Sequence, residues 1–132
     1  MNSILLHFTL QRGIVLCKVV LVHNGYQVIA NQVVIDTGAS YTIFPSRIIQ
    51  ALNIDISQSD LVETMTVMNT LKLPKVLINQ IGVQGANAQQ VDVLVGEFPK
   101  EVWIDGVLGY SFLKHFKITI DYDTLELILT PK

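Results

Sequence analysis

Asp36-Thr37-Gly38 sets an acid, a short hydroxyl and a glycine side by side at the end of an apolar run. Val33-Val34-Ile35 leads in, Ala39-Ser40 follows, and the chain climbs back into Tyr41-Thr42-Ile43-Phe44. Strands on both sides are expected to bury this turn. A carboxylate in apolar surroundings is costly unless it is paired or hydrogen-bonded, and one held that way is suited to taking and giving protons. Thr37 offers a hydroxyl, while Gly38 permits a backbone conformation and a close approach that a side chain would block. The same three residues also suit a plain Asx-type turn. By average usage the triplet arises by chance in roughly a few per cent of chains this long. The apolar approach, the small Ala39 and a second motif, Asp105-Gly106-Val107-Leu108-Gly109, lift it above that level.

Other chemistry-bearing residues form no comparable group. His7, His23 and His115 lie far apart without metal-ligand spacing, so no metal and no cofactor is expected. The single cysteine, Cys17, excludes an internal disulfide and any cysteine-based metal cluster. Asp121 and Asp123 flank a hairpin turn. Asp105 is the one other acid in an apolar frame; turn formation before Gly106 explains it better than a role in a monomeric site. Trp103 and Tyr41 are candidates for lining a cleft, with core or interface packing an equal alternative.

Composition narrows the classes. A length of 132 residues suits one domain spanning 1–132, large enough for its own core. Half the residues are hydrophobic and only 15% are charged, which suggests extra apolar surface hidden between subunits. A net charge of -2 offers no basic field for nucleic acid or an anionic membrane. There is no positively charged leader and no apolar run long enough to span a membrane, so a cytoplasmic setting is the default.

The elements that must position the acid follow from pattern. Ile4–Leu10 and Ile14–Val22 are apolar and β-branched, broken at Gln11-Arg12-Gly13. Asn24-Gly25 is a strong hairpin signal, because both turn positions tolerate positive φ. Strands at Ile14–His23 and Tyr26–Ile35 should therefore pair, the second feeding Asp36 into its turn. Pro45–Leu52 reads as a short helix burying Ile48, Ile49 and Leu52, and Asn53–Asp60 as loop. Leu61–Met68 and Leu71–Ile78 form a second hairpin about Asn69-Thr70, with Pro74 at an edge. Ile81–Val83 and Gln89–Val95 supply further strands around Gln84-Gly85. Tyr110–Phe116 reads as a short helix, followed by strands at Lys117–Ile120 and Leu125–Leu129. This spacing predicts an all-β closed barrel of six or more strands, or a sandwich, with one or two short helices. Aligning Gly38 with Gly109 sets Ala39-Ser40-Tyr41 beside Tyr110-Ser111-Phe112, a faint echo of two similarly built halves.

The chain resembles the retropepsin-like aspartic peptidases of the small, single-domain bacterial type. The carrying residues are Asp36-Thr37-Gly38-Ala39-Ser40 and Asp105-Gly106-Val107-Leu108-Gly109, supported by the Asn24-Gly25 turn and the helix at Pro45–Leu52. The resemblance runs from about Leu10 onward. It implies the retropepsin-like barrel and a homodimer in which Asp36 meets its twin across the axis, because an aspartic dyad needs two acids sharing one proton. It further implies an aspartic endopeptidase with a peptide or protein substrate. Asp36, Thr37 and Gly38 would be catalytic, Thr37 locking the two loops together. Ile35, Ala39, Met68, Asn69, Thr70, Val107 and Leu108 would bind substrate.

Three features depart from the family or qualify it. Ala39 cannot donate to the carboxylate as a serine there could, so activity is expected to extend towards neutral pH. The candidate flap, Leu61–Ile78, has no glycine at its tip, Met68-Asn69-Thr70. Near Ser111 relatives carry an acidic or amide residue, and its absence is expected to cost a supporting contact at the dimer base. The terminal strand Leu125–Leu129 is expected to pair with its twin. The alternative function is a non-proteolytic dimerisation or peptide-binding module that keeps the fold; the intact Asp36-Thr37-Gly38 favours the enzyme.

Overall fold

The computed structural model describes residues 3–65 and 69–132. Two hairpins open the chain. β1 (Ile4–His7) leaves through Phe8 into β2 (Thr9–Gln11), which turns at Arg12-Gly13 into β3 (Ile14–His23). β3 pairs antiparallel with β4 (Tyr26–Ile35) across Asn24-Gly25. Asn24 and Gly25 have φ of 47° and 85°, the pair of positive values that matches a two-residue turn to strand twist. The same turn recurs at Gln84-Gly85, with φ of 47° and 93°.

β5 (Thr42–Phe44) then leads into helix α1 (Ser46–Ala51), whose first turn Pro45 presets with φ of -71°. The helix buries Ile48 and Ile49, and Leu52 follows them into the core. β6 (Leu61–Met65) pairs with the first part of β7 (Thr70–Val83), and β7 continues into β8 (Ala86–Val95). β9 (Gly106–Leu108), helix α2 (Tyr110–Leu113), β10 (Phe116–Asp121) and β11 (Glu126–Pro131) complete the order.

β3, β4, β9, β5, β8 and β7 form a closed ring. Closure comes from β3 on β7, where Val20, Leu21 and Val22 face Gly82, Ile81 and Gln80. Val19, Leu21, Val33, Ile78, Ile81, Val91 and Val93 are fully buried and fill it. Beside the barrel stands a three-stranded sheet in the order β1-β11-β10. The all-β barrel with two short helices is as the sequence pattern predicts. No helix among the described residues is long and apolar enough to cross a membrane.

Three local expectations are corrected. Leu71–Ile78 and Ile81–Val83 are one strand of 14 residues; the polar Asn79-Gln80 between them does not end it, and the ladder resumes in the same register at Gln80 opposite Gln89, past Gln90 with its φ of 54°. α2 ends at Leu113, and Phe116 already belongs to β10. Leu125–Leu129 is not left open for a twin. β11 has β1 on one side and β10 on the other, with Leu127 paired to Leu6 and to Ile120.

Candidate active site

The barrel's topology brings the two sequence motifs together. β4 and β9 run parallel as neighbours, with Val33, Val34 and Ile35 facing Gly106, Val107 and Leu108. β9 also touches β5 through Ile43 and Val107, so it threads between the strands that enter and leave the 36–41 turn. The internal echo is therefore spatial: Asp36 and Gly109 each follow the C-terminal end of a strand in an adjacent parallel pair.

Backbone hydrogen bonds fix the turn. The Asp36 amide donates to the Leu108 carbonyl at 3.0 Å, and the Ala39 amide donates to the Asp36 carbonyl at 3.2 Å. The Asp36 carboxylate accepts the Gly38 N–H at 2.9 Å, so an Asx turn and a placed acid are the same structure here. From the other motif, the Tyr110 amide donates to the Ala39 carbonyl at 2.8 Å. A Cβ on Gly109 would stand 2.3 Å from the Tyr41 carbonyl oxygen and 2.8 Å from that of Ala39, so only glycine lets the loop lie on β9. Gly38 meets one of the two expectations placed on it. It is absent from the positive-φ residues; a Cβ there would come within 3.3 Å of the Asp36 carboxylate. Close approach, not an unusual backbone, is what it supplies.

Below the turn lies a buried polar group. Thr42 is fully buried, and Ser111 almost so. The Thr42 hydroxyl accepts the Gly109 N–H at 3.2 Å, while the Thr42 amide donates to the Ser111 hydroxyl at 2.9 Å. Ser111 in turn donates to the Asp92 carbonyl at 2.7 Å. Within the chain the short Ser111 hydroxyl bridges two backbone groups. The sequence alone did not single out Thr42.

Asp36 itself is exposed, as are Thr37 and Gly38. The expectation that flanking strands bury the carboxylate is corrected: the turn projects from the strand ends and the single chain leaves it open to water. Ala39 and Val107 are half-buried, whereas Ile35 and Leu108 belong to the core. Asn69 and Thr70 are exposed; Thr70 starts β7 opposite Met65, and Met68 lies outside the described residues. The base of this hairpin reaches the site's neighbourhood, since a Cβ on Gly96 would meet both Leu73 at 3.1 Å and Ile43 at 3.3 Å.

Asp105 has a separate position. Its carboxylate accepts the Gln32 N–H at 3.0 Å and pairs with Arg47, while its amide donates to the Gln32 carbonyl at 2.7 Å. Gln32 is four residues before Asp36 on β4, about 13 Å along an extended strand. Asp105 therefore ties α1 and β9 to β4 and stands away from the Asp36 carboxylate. Near that end, Arg12, Ile14, Leu16, Gln32, Val102 and Trp103 line a groove of about 200 Å³. The Arg12 guanidinium lies 5.4 Å from the Trp103 ring centre.

Among the described residues no group of three or more His, Cys, Asp or Glu is placed to hold a metal ion. Cys17 is buried, and desolvation pushes its thiol up to about 12.

Comparison with known proteins bears on this geometry. The chain is similar to a retropepsin-like aspartic protease from Rickettsia conorii whose crystal structure is known. The two share 23% sequence identity and superpose with a TM-score of 0.69 over 97% of this chain and 91% of the other; at that identity the likeness speaks for the fold. Comparison with curated proteins gives no match. Residues 23–115, more than two thirds of the chain, match the family described as gag-polyprotein putative aspartyl protease. The chain belongs to that family of retropepsin-like aspartic peptidases.

Proposed function

We propose that this chain is a single peptidase domain acting as an aspartic endopeptidase, with the catalytic pair made of two Asp36 carboxylates, one from each subunit of a homodimer. The observation that carries the reading is the open carboxylate of Asp36, held by backbone hydrogen bonds at a strand end, while Asp105 is engaged elsewhere. One such chain supplies half of a dyad.

In the paired site one carboxylate takes a proton from water as the water oxygen adds to the peptide carbonyl carbon. The other, protonated, hydrogen-bonds the carbonyl oxygen and offsets the charge that develops there. Collapse of the tetrahedral adduct breaks the C–N bond, and a dyad proton goes to the leaving nitrogen. Thr37 at the turn's tip would join the two loops, and Gly38 keeps space beside the carboxylate. Ala39 and Val107 offer apolar contact to an extended substrate, with Ile35 and Leu108 as the packed floor. Asn69 and Thr70, with Met68, would cover the substrate from the β6–β7 hairpin. Water activation by a carboxylate dyad needs no metal or organic cofactor.

The test is digestion of a mixed peptide library by purified protein from acid to neutral pH, with products read by mass spectrometry, beside Asp36→Asn. Cleavage by wild type and none by a folded Asp36→Asn supports the dyad. No cleavage by either, with both folded and dimeric, would replace the peptidase reading with a dimerisation or peptide-binding module.

A further inference from the structure

The outer face of the β3–β4 pair carries more than Asp36. Val33 and Ile35 point into the barrel, so Gln32, Val34 and Asp36 share the opposite side of the chain. Leu16 on β3 stands across from Val34, about 7 Å from Asp36 along an extended strand. Leu16 is buried, yet it takes no part in the barrel core. Around it stand Val102 and Trp103, from the segment between β8 and β9, and Arg12, from the turn before β3. The groove they enclose opens on the same face as the acid.

Its wall is fixed at both ends. Residues 97–105 lie outside helix and strand. The Glu97 carboxylate accepts the Ser46 N–H at 2.9 Å, and Asp105 pairs with Arg47. Both anchors therefore reach the first turn of α1, and between them the Val102 amide donates to the Pro99 carbonyl at 3.0 Å. Trp103 is thereby held, although it is exposed. The Arg12 guanidinium lies over its ring. A guanidinium stacked on an aromatic face keeps the N–H donors at its rim free in its own plane. Among the described residues no ion pair joins Arg12 to a carboxylate, although Glu101 lines the same groove.

An oriented cation above an apolar floor suits a carboxylate carried on an apolar stem. Ile14, Leu16 and Val102 would take the stem, and Arg12 would donate to the carboxylate oxygens. A neutral side chain gains nothing from those donors, and a basic one meets like charge. We infer that the groove selects an acidic side chain of a peptide substrate, with Arg12 as the specificity-determining residue and Trp103 as the platform that orients it. This deepens the peptidase reading and rests on it for the course of the substrate past Asp36. Val34 and Gln32 mark the groove's span, so the acidic residue stands about two to four residues from the bond that is cut.

The probe is a mixed decapeptide library with both ends capped, passed over the full chain bearing Asp36→Asn, which removes the acid and leaves the groove. Mass spectrometry reads the peptides retained. Glutamate peptides should be held over their glutamine twins by roughly fivefold or more, since a charge-assisted bond separates them. In the same background, Arg12→Gln, folded by circular dichroism, should erase that preference. Arg12→Glu should turn it towards lysine, a reversal that a merely structural role would not produce. Glu101→Gln should strengthen it. Equal retention of glutamate and glutamine peptides, or a preference that survives Arg12→Gln, would overturn the inference. Arg12-dependent retention confined to a library with free C-termini would overturn it too, giving the groove to a chain end. The same capped library offered to wild type separates the two readings. Arg12-dependent retention without cleavage keeps the groove and removes the peptidase. Cleavage that is lost in Asp36→Asn but blind to side-chain charge does the reverse.

Discussion

The Thr42 amide donates to the Ser111 hydroxyl at 2.9 Å, joining the strand that leaves the Asp36 turn to the helix that follows Gly109. The two residues are 69 positions apart, and neither side chain is exposed. Around them, four elements meet: β5, β8, β9 and α2. Beneath the turn, then, β5 and α2 are tied by a buried polar bridge, and a buried bridge fails sharply when one partner goes.

Ser111→Ala removes an acceptor for the Thr42 amide and a donor for the Asp92 carbonyl. Leaving buried groups unsatisfied costs about 1–3 kcal/mol. Urea unfolding should show a loss of that size, and peptide cleavage should fall mainly in kcat, with KM near wild type. Ser111→Thr, which keeps the hydroxyl, should recover most of both. Equal stability for Ser111→Ala and wild type would show that water or a shifted neighbour replaces the bridge.

Gly109→Ala places a methyl group against the carbonyls of Tyr41 and Ala39, at 2.3 and 2.8 Å. Backbone on both sides has little room to yield. A loss of about 1–3 kcal/mol or more is expected, with cleavage falling by a larger factor than stability alone explains, since the displaced segment carries Asp36. Thermal unfolding together with activity below the transition tests this.

What the sequence disclosed, and what it did not, divides by range. Asn24-Gly25 names its own turn, since both residues accept positive φ locally. The Val33–Ile35 run reads as the end of a strand and the two motifs as a pair, whereas the short strand Gly106–Leu108 shows only in the fold. Distant pairings left no such local sign. Leu125–Leu129 is apolar enough to suit an exposed edge in a dimer, and only the docking of β1 shows that its edge is already taken. Asn79-Gln80 looked like a break between strands. In the fold the Asn79 side-chain oxygen accepts the Asn24 N–H, and its backbone amide donates to His23; the polar pair tightens the neighbouring hairpin turn. Thr42 passed as one more β-branched strand residue because its partners come from the far end of the chain. Asp36 was read as buried from its apolar neighbours, but Val33, Val34 and Ile35 lie behind it along β4 and the acid itself is exposed.

Ala39 lies half-buried beside the carboxylate, its amide and carbonyl both engaged in holding the turn. Ala39→Ser keeps those backbone bonds and adds a hydroxyl donor. A hydroxyl that bonds the ionised carboxylate favours that form. The pH–activity profile of Ala39→Ser should move towards acid relative to wild type. Coincident profiles would show that the added hydroxyl points elsewhere.

Cys17 is buried in β3, and desolvation raises its thiol to about 12. The thiolate is the reactive form, so almost none is present at neutral pH. A disulfide reagent should leave the folded protein unmodified over hours and label one thiol per chain promptly in denaturant. Rapid labelling of the native protein would show that β3 opens on that timescale.

His115 sits at the junction of α2 and β10 with its Nε2 buried and without a hydrogen-bond partner. Burial, and secondly the charge of Lys114, holds its pKa below the ordinary 6.5. The folded chain therefore binds this proton less well than the unfolded one. Its titration costs no stability well above pH 6.5, and stability is lost as pH falls through 6.5 towards the lower folded value. His115→Phe removes the titration and leaves the junction apolar. Stability from urea unfolding at about pH 7.5 and about pH 5 should therefore drop less in His115→Phe than in wild type. Because carboxylates titrate in both proteins alike, the difference between the two slopes isolates His115, and identical slopes would mean that the imidazole reaches water when it takes up its proton.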